Sequence, residues 1–280
     1  MFGRKGLDVK TPDQIRRMRV AGMVVGETLD LIGGQARAGM TTGHLDRTAE
    51  DFIRSKGATP SFLGYHGFTG SLCLSVNEEV VHGIPGSRIL REGDLVSIDC
   101  GAIVDGWHGD AAISLIVGGR EAGSARDLAL MDATQASMWA GITALAVGSR
   151  LYDVGAAVED CIVDAARADG LTYGIVEDYV GHGIGTEMHQ DPQVPNYRVR
   201  DRGPVVRSGV TVAIEPMVTL GSAETDVLDD DWTVVTQDGS RAAHWEHSVA
   251  VTDAGIWVLT ASDGGRERLE ALGAAYAPLA

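Results

Sequence analysis

An α+β fold, rather than a doubly wound parallel sheet, is predicted by three observations. Helical and strand-like periodicities come in blocks along the chain: helices, strands, helices, strands. The strand-like runs carry hairpin signals, the sharpest being Asp105-Gly106 between two apolar stretches. The two blocks share an order of elements without a residue-level repeat, which predicts two similar halves, each a helical pair with an antiparallel hairpin set. With 280 residues, 44% of them hydrophobic, the chain can bury one substantial core, and a single domain over 1–280 is expected.

The first element starts at Thr11-Pro12-Asp13, a capping hydroxyl followed by a first-turn proline. Ile15, Met18, Val20, Met23, Val24 and Leu29 follow at near-helical spacing and predict an amphipathic helix to about residue 37. Gly39 stops it, and Thr42 is expected to cap a second helix that carries Leu45, Ala49, Phe52 and Ile53 as far as Gly57. From Ser71 the texture becomes β-branched and alternating, predicting strands over 72–76, 95–99 and 111–117. Helices are predicted over 125–146 and 151–169, the first rich in Ala, Leu and Met, the second in Ala and Val. Strands return over 209–214, 232–235 and 247–251, and a short helix over 266–272 falls in a tail, 263–280, whose order the pattern leaves open.

Charge and cysteine usage narrow the function classes. The 39 acidic and 23 basic residues give a net charge of −16, which argues against a nucleic-acid surface built on phosphate neutralisation. Cys73, Cys100 and Cys161 are far apart and lack the paired spacing of a zinc knuckle or redox motif, which suits a reducing cytosol. The basic N-terminal segment 1–10 has no apolar core, and no stretch approaches the roughly 18 apolar residues of a membrane span. A soluble, cytoplasmic protein is expected.

Four acids stand where acids are costly. Asp99 (in Ile98-Asp99-Cys100) and Asp110 (in Gly109-Asp110-Ala111) lie on the two arms of a predicted hairpin. Glu215 (in Ile214-Glu215-Pro216-Met217) and Glu246 (in Trp245-Glu246-His247) sit at the edges of strand-like runs. A carboxylate among apolar residues needs a partner, because unpaired burial costs several kcal/mol. Taken singly, each has an ordinary explanation as a turn cap or an ion-pair partner. Four of them converging would repel one another unless cations hold them. His182, in Gly181-His182-Gly183-Ile184-Gly185, is expected to present an imidazole from tightly turned backbone, and imidazole plus carboxylates is a ligand set for Mn²⁺, Fe²⁺, Co²⁺ or Zn²⁺.

The run Tyr179-Val180-Gly181-His182-Gly183-Ile184-Gly185-Thr186-Glu187-Met188-His189, continued by Val194-Pro195-Asn196-Tyr197, resembles the signature of type I methionine aminopeptidases. Further similar stretches follow the family's order: Asn77-Glu78-Glu79-Val80-Val81-His82-Gly83, Asp105-Gly106-Trp107-His108-Gly109-Asp110, Ile214-Glu215-Pro216-Met217 and Trp245-Glu246-His247. Together they span about residues 10–260. The resemblance implies the pita-bread fold with pseudo-twofold halves, helices covering an antiparallel sheet. It implies a hydrolase that removes the initiator methionine from nascent chains, prefers a small second residue, and works through a water activated between two metal ions. Carried over position by position, Asp99, Asp110, His182, Glu215 and Glu246 take the ligand positions: Asp110 and Glu246 bridge the ions, Asp99 binds one, and His182 with Glu215 binds the other. The same likeness makes His189 a hydrogen-bond donor to the substrate carbonyl or its oxyanion, has His82 contact the scissile nitrogen or help move a proton to it, and makes Glu215 the general base. Tyr65, His66, Phe68, Cys73 and Trp232 match the expected methionine pocket, with His66 at its rim and His82 and His189 touching substrate.

Phe62, Met188 and Gln190 depart from the family pattern without removing a ligand or a catalytic group. The absence of a Cys- and His-rich zinc extension suits the bacterial type. Two divalent ions per chain (Co, Mn, Fe or Zn), N-terminal methionine peptides and nascent chains as partners, the ribosome as a candidate partner, no membrane, no specific nucleic-acid site and a monomeric state complete the expectation. The alternatives are an Xaa-Pro aminopeptidase or prolidase-like enzyme and a non-catalytic pita-bread protein that binds peptides or ribosomes.

Overall fold

The first helix, α1 (Pro12–Gln35), opens as its sequence dictates: the Thr11 hydroxyl accepts from the Gln14 N–H, and the Gln14 side chain accepts from the Thr11 N–H. The computed structural model describes residues 7–279; residues 1–6, most of the basic N-terminal segment, lie outside the described residues, as does residue 280. α2 (Thr42–Ser55) is capped by Thr41, one residue earlier than the pattern suggests. The Thr42 hydroxyl is drawn away, accepting instead from the Gly86 N–H at 2.9 Å. α3 (Ala125–Ala144) and α4 (Asp153–Asp169) form the second helical pair.

Fifteen strands are described: β1 (Thr59–Pro60), β2 (Leu72–Val76), β3 (Glu79–Val81), β4 (Leu95–Val104), β5 (Trp107–Ile116), β6 (Gly174–Ile175), β7 (Gly181–Gly183), β8 (Gln190–Val194), β9 (Thr211–Ile214), β10 (Met217–Thr219), β11 (Thr225–Val227), β12 (Val234–Thr236), β13 (Ala242–His244), β14 (Glu246–Thr252) and β15 (Gly255–Val258). The main antiparallel sheet runs β1-β4-β5-β14-β9-β7-β8, with β2 on β4 and β15 on β14. Two small sheets, β13-β10-β6 and β11-β12-β3, stand beside it. Among the described residues no helix is long and apolar enough to cross a membrane.

Alternation along the strands decides which face does chemistry. Val96, Ile98 and Cys100 on β4 and Ala111 on β5 pack under α1 and α2, while Val212 and Ile214 on β9 and Val249 and Val251 on β14 pack under α3 and α4. Period two then sends Asp99, Asp110, Ala112, Glu246 and Ser248 to the opposite face. Each half thus contributes a helical layer on one side and site residues on the other, the two-halved arrangement expected.

Two expectations are corrected, and the course of the tail, left open by the pattern, is described. Gly181 and Gly183, on either side of His182, do not make a turn; they belong to β7 and let it lie against its neighbours, and the chain bends only from Gly185. A Cβ on Gly181 would stand 2.4 Å from the Ala213 carbonyl oxygen, and one on Gly183 2.4 Å from that of Asp191. Trp232 does not open a strand, since β12 begins at Val234 and Trp232 sits in the preceding turn, its N–H bonded to the Asp230 carboxylate. The tail is ordered: α5 (Arg266–Ala271) precedes a segment in which Ile256 N–H donates to Ala275 O and Ala277 N–H donates to Ile256 O.

Glycine in a strand ordinarily costs about 0.5–1 kcal/mol relative to alanine. At position 181 the sign reverses, because the obstructing atom is backbone. Gly181→Ala is expected to destabilise the protein by about 1–3 kcal/mol, read from urea unfolding midpoints; a gain in stability would contradict the close packing of β7 on β9.

Candidate metal centre

Asp99 pairs with Ala112 across β4 and β5, and Ala112 pairs with Glu246 across β5 and β14, so the two acids share a row on one face with a methyl group between them. Asp110, two residues before Ala112, falls on the same face. Glu215 enters by a different device. The frame that pairs Ile214 with His247 in the main sheet pairs Met217 with His244 in the small one, so β9-β10 and β13-β14 form one ribbon that changes sheets. The ladder breaks at Glu215-Pro216 and Trp245, where Pro216 has no N–H to donate. In that frame Glu215 and Glu246 fall opposite each other, a like-charged pair that is destabilising by itself. Asn196, fully buried, donates from Nδ2 to the Glu215 carbonyl oxygen at 3.1 Å and fixes the break.

One ligand atom each from Asp110, His182 and Glu246 lie within 4.8 Å of one another, and so do those of Glu215, His244 and Glu246. Asp99 belongs to neither trio but lines the same cavity. His182 Nδ1 donates to the Gly183 carbonyl at 3.0 Å, which assigns the proton to Nδ1 and leaves the Nε2 lone pair facing Glu215 Oε1 at 3.3 Å and Asp110 Oδ2 at 4.0 Å. A lone pair facing carboxylates is repulsive unless a cation lies among them. Asp99 Oδ1, Asp110 Oδ1 and Glu246 Oε1 are buried without a hydrogen-bond partner among the described residues. Orphaned hard oxygens around one imidazole fit a divalent cation.

The mouth of this cluster is a cavity of about 120 Å³ walled by Phe62, Tyr65, Phe68, Cys73, Met188 and Trp232, with His82 and His189 beside the acids. Phe68 and Trp232 meet edge to face at 5.1 Å. His82 is held at φ 59° directly after β3, its ring edge-on to Tyr179. His189 Nδ1 and the Tyr65 hydroxyl are 2.8 Å apart. His66 is exposed and outside the cavity lining, stacked edge-on against Tyr65 at 4.4 Å.

A family model described as metallopeptidase family M24 matches residues 16–253. The chain belongs to metallopeptidase family M24. It is 52% identical over 259 residues to methionine aminopeptidase 1 of Mycobacterium tuberculosis, covering 92% of this chain and 96% of that protein. It superposes on the crystal structure of methionine aminopeptidase from Thermotoga maritima with a TM-score of 0.84 and 39% identity, covering 91% of this chain and 99% of that one. The fold is the pita-bread fold of that structure. A prolidase from Pyrococcus furiosus shares the fold alone, with a TM-score of 0.70 and 18% identity; the chain covers 65% of it.

Two residues beside this cluster escaped the sequence reading. His244 is two residues before Glu246, so strand alternation would have placed it beside that acid. Asn196 carries no such local signal, because its partner is the Glu215 backbone.

Electrostatics follow from burial. Asp99 is pushed up to about 7, chiefly by desolvation, and Asp110, Glu215 and Glu246 stand well above the carboxylate range through burial and mutual repulsion. Burial lowers His182 and His244 to about 3 and His82 to about 4. A raised carboxyl stabilises the metal-free fold while protonated, so stability is lost as pH rises from about 4 through the folded value. A lowered histidine works oppositely, its cost vanishing as pH rises through about 6.5. Above that value only the carboxylates act. Metal-stripped protein is therefore expected to lose thermal stability from about pH 6.5 to pH 8, with saturating Mn²⁺ restoring more at the higher pH. Calorimetry showing a flat or rising melting temperature in stripped protein would contradict this.

Proposed function

We propose that this chain is a metal-dependent aminopeptidase that removes the N-terminal methionine from nascent proteins. The observation that carries the proposal is a small cavity with apolar walls that opens onto four carboxylates, Asp110 and Glu246 buried and Asp99 and Glu215 partly buried, and an imidazole. An unbranched, polarizable side chain suits walls of Phe62, Phe68, Met188 and Trp232, and the scissile bond of a peptide seated there lies against the acids. The relatives most alike over nearly the whole chain bear the name methionine aminopeptidase, which supports the same reading. Prolidase-like activity has only the shared fold behind it. A non-catalytic role has no lost ligand position to support it.

In this reading Asp99, Asp110, His182, Glu215 and Glu246 would hold two divalent ions of Co, Mn, Fe or Zn. When bound, such ions supply Lewis acidity toward a carbonyl and lower the pKa of water. Glu215 takes the nucleophile's proton. Tyr65 O–H donates to His189 Nδ1, which leaves the proton on Nε2 free to donate to the substrate oxygen as it gains charge. His82, brought to the cavity by its left-handed backbone, contacts the scissile nitrogen. A neutral imidazole suits both tasks, and burial keeps both rings below their ordinary pKa. Substrates are N-terminal methionine peptides and nascent chains, met in the cytoplasm by a monomer, with the ribosome as a candidate docking partner.

Two outcomes test the proposal. Purified protein resupplied with Mn²⁺ or Co²⁺ is expected to cleave Met-Ala peptides well and Met-Arg or Met-Phe peptides poorly, because a bulky second residue displaces the carbonyl and small misplacements are costly in rate. Faster release from Xaa-Pro peptides than from Met-Ala would establish the prolidase reading instead. His189→Ala is expected to lower kcat by about 10²–10³-fold with metal content unchanged; stoichiometric loss of an ion would make His189 a ligand.

A further inference from the structure

The cluster contains a buried group with no part in the scheme above. His244, at the end of β13, is 2% exposed, and its Nε2 has no hydrogen-bond partner among the described residues. Nε2 lies 3.8 Å from Glu215 Oε2 and belongs to the trio with Glu215 and Glu246. The main chain beneath it is fixed to both acid-bearing strands. His244 N–H donates to Ser97 Oγ on β4 and to Ser114 Oγ on β5, at 3.2 and 3.0 Å, and its carbonyl accepts from Ser114 Oγ at 2.8 Å. Pairing with Met217 fixes it against the far side of the Glu215-Pro216 break.

A neutral imidazole has one N–H and one lone pair. Aimed at a carboxylate, the lone pair would set acceptor against acceptor, whereas the N–H meets its natural partner. Glu215 needs such a partner: His182 faces its Oε1 with a lone pair, and Asn196 holds only its backbone. A donor at Oε2 sets the plane of the carboxylate and leaves Oε1 directed at the His182 side. A small turn of that carboxylate brings 3.8 Å to the roughly 3 Å of a hydrogen bond.

We infer that His244 is a positioning residue, donating from Nε2–H to Glu215 Oε2 and thereby orienting the carboxylate that completes the metal-holding set. The inference rests on the reading of Glu215 as a member of that set. A filler of the core would leave a polar nitrogen buried and unpartnered, a desolvation cost with no return. A residue orienting a ligand is typically worth about 10–100-fold in metal affinity or activity.

The amides of Gln and Asn separate these roles, since a Gln side chain places its donor where Nε2 stands and an Asn side chain where Nδ1 stands. His244→Gln, His244→Asn and His244→Leu are stripped and titrated with Co²⁺ by calorimetry and visible absorption, and then assayed on a Met-Ala peptide. His244→Gln is expected to stay within about threefold of the unaltered protein. His244→Asn and His244→Leu should lose about 10–100-fold in Co²⁺ affinity or kcat, with the number of ions and the cobalt absorption bands unchanged. Equality of His244→Leu with the unaltered protein would overturn the inference in favour of packing. Loss of an ion or altered cobalt bands in both His244→Gln and His244→Leu would overturn it in favour of ligation. If His244→Leu does not fold, the contrast between the two amides decides. Should the unaltered protein fail to cleave Met-Ala, the proposed function falls, while the ranking of Co²⁺ affinities still decides the role of His244.

Discussion

Four carboxylates gathered in one cluster, three on one face of the main sheet and Glu215 at the break beside it, are the constraint on which the rest of the structure depends. Their repulsion and desolvation oppose folding and raise their pKa values, Asp99 to about 7 and the other three well above the carboxylate range. Cations reverse the sign of that interaction, so the same cluster that burdens the metal-free chain becomes a source of stability in the loaded one. The surrounding architecture resists collapse of the cluster. β4 and β5 are long and paired over their full length, Ala112 keeps Asp99 and Glu246 apart, and the ribbon of β9-β10 and β13-β14 breaks where Glu215 and Glu246 face each other.

The site's two environments divide the chemistry. Aromatic and thioether side chains line one wall and can select a flexible apolar group, while the opposite wall holds acids and neutral imidazoles. The histidines enter as neutral rings because burial denies them charge. This local balance has little to do with the net charge of −16, most of which lies on solvated surface.

Much of this was legible in the sequence, for identifiable physical reasons. The first two helices announced themselves through caps and spacing and the next two through composition, although Val20, counted in the apolar pattern, proves to be 53% exposed. The Thr41/Thr42 choice could not be made locally, because Thr42 is claimed by Gly86, distant in sequence. Strands of two or three residues, such as β6, β7 and β13, are too short to show alternation, so the ribbon that changes sheets stayed hidden. Acids in apolar runs pointed to a cation site from residue chemistry alone, whereas the division of labour among them came from the family resemblance. His244, two residues before Glu246, was within reach of strand alternation and went unassigned all the same, whereas Asn196 gave no local signal because it acts on a backbone carbonyl.

The central claim is that cations belong among these five side chains. Anomalous diffraction from crystals grown with Mn²⁺, collected on both sides of the manganese edge, tests it without reference to turnover. The account predicts two strong anomalous peaks enclosed by Asp99, Asp110, His182, Glu215 and Glu246. Peaks confined to surface carboxylates, with the buried oxygens hydrogen-bonded to one another or to water instead, would contradict it.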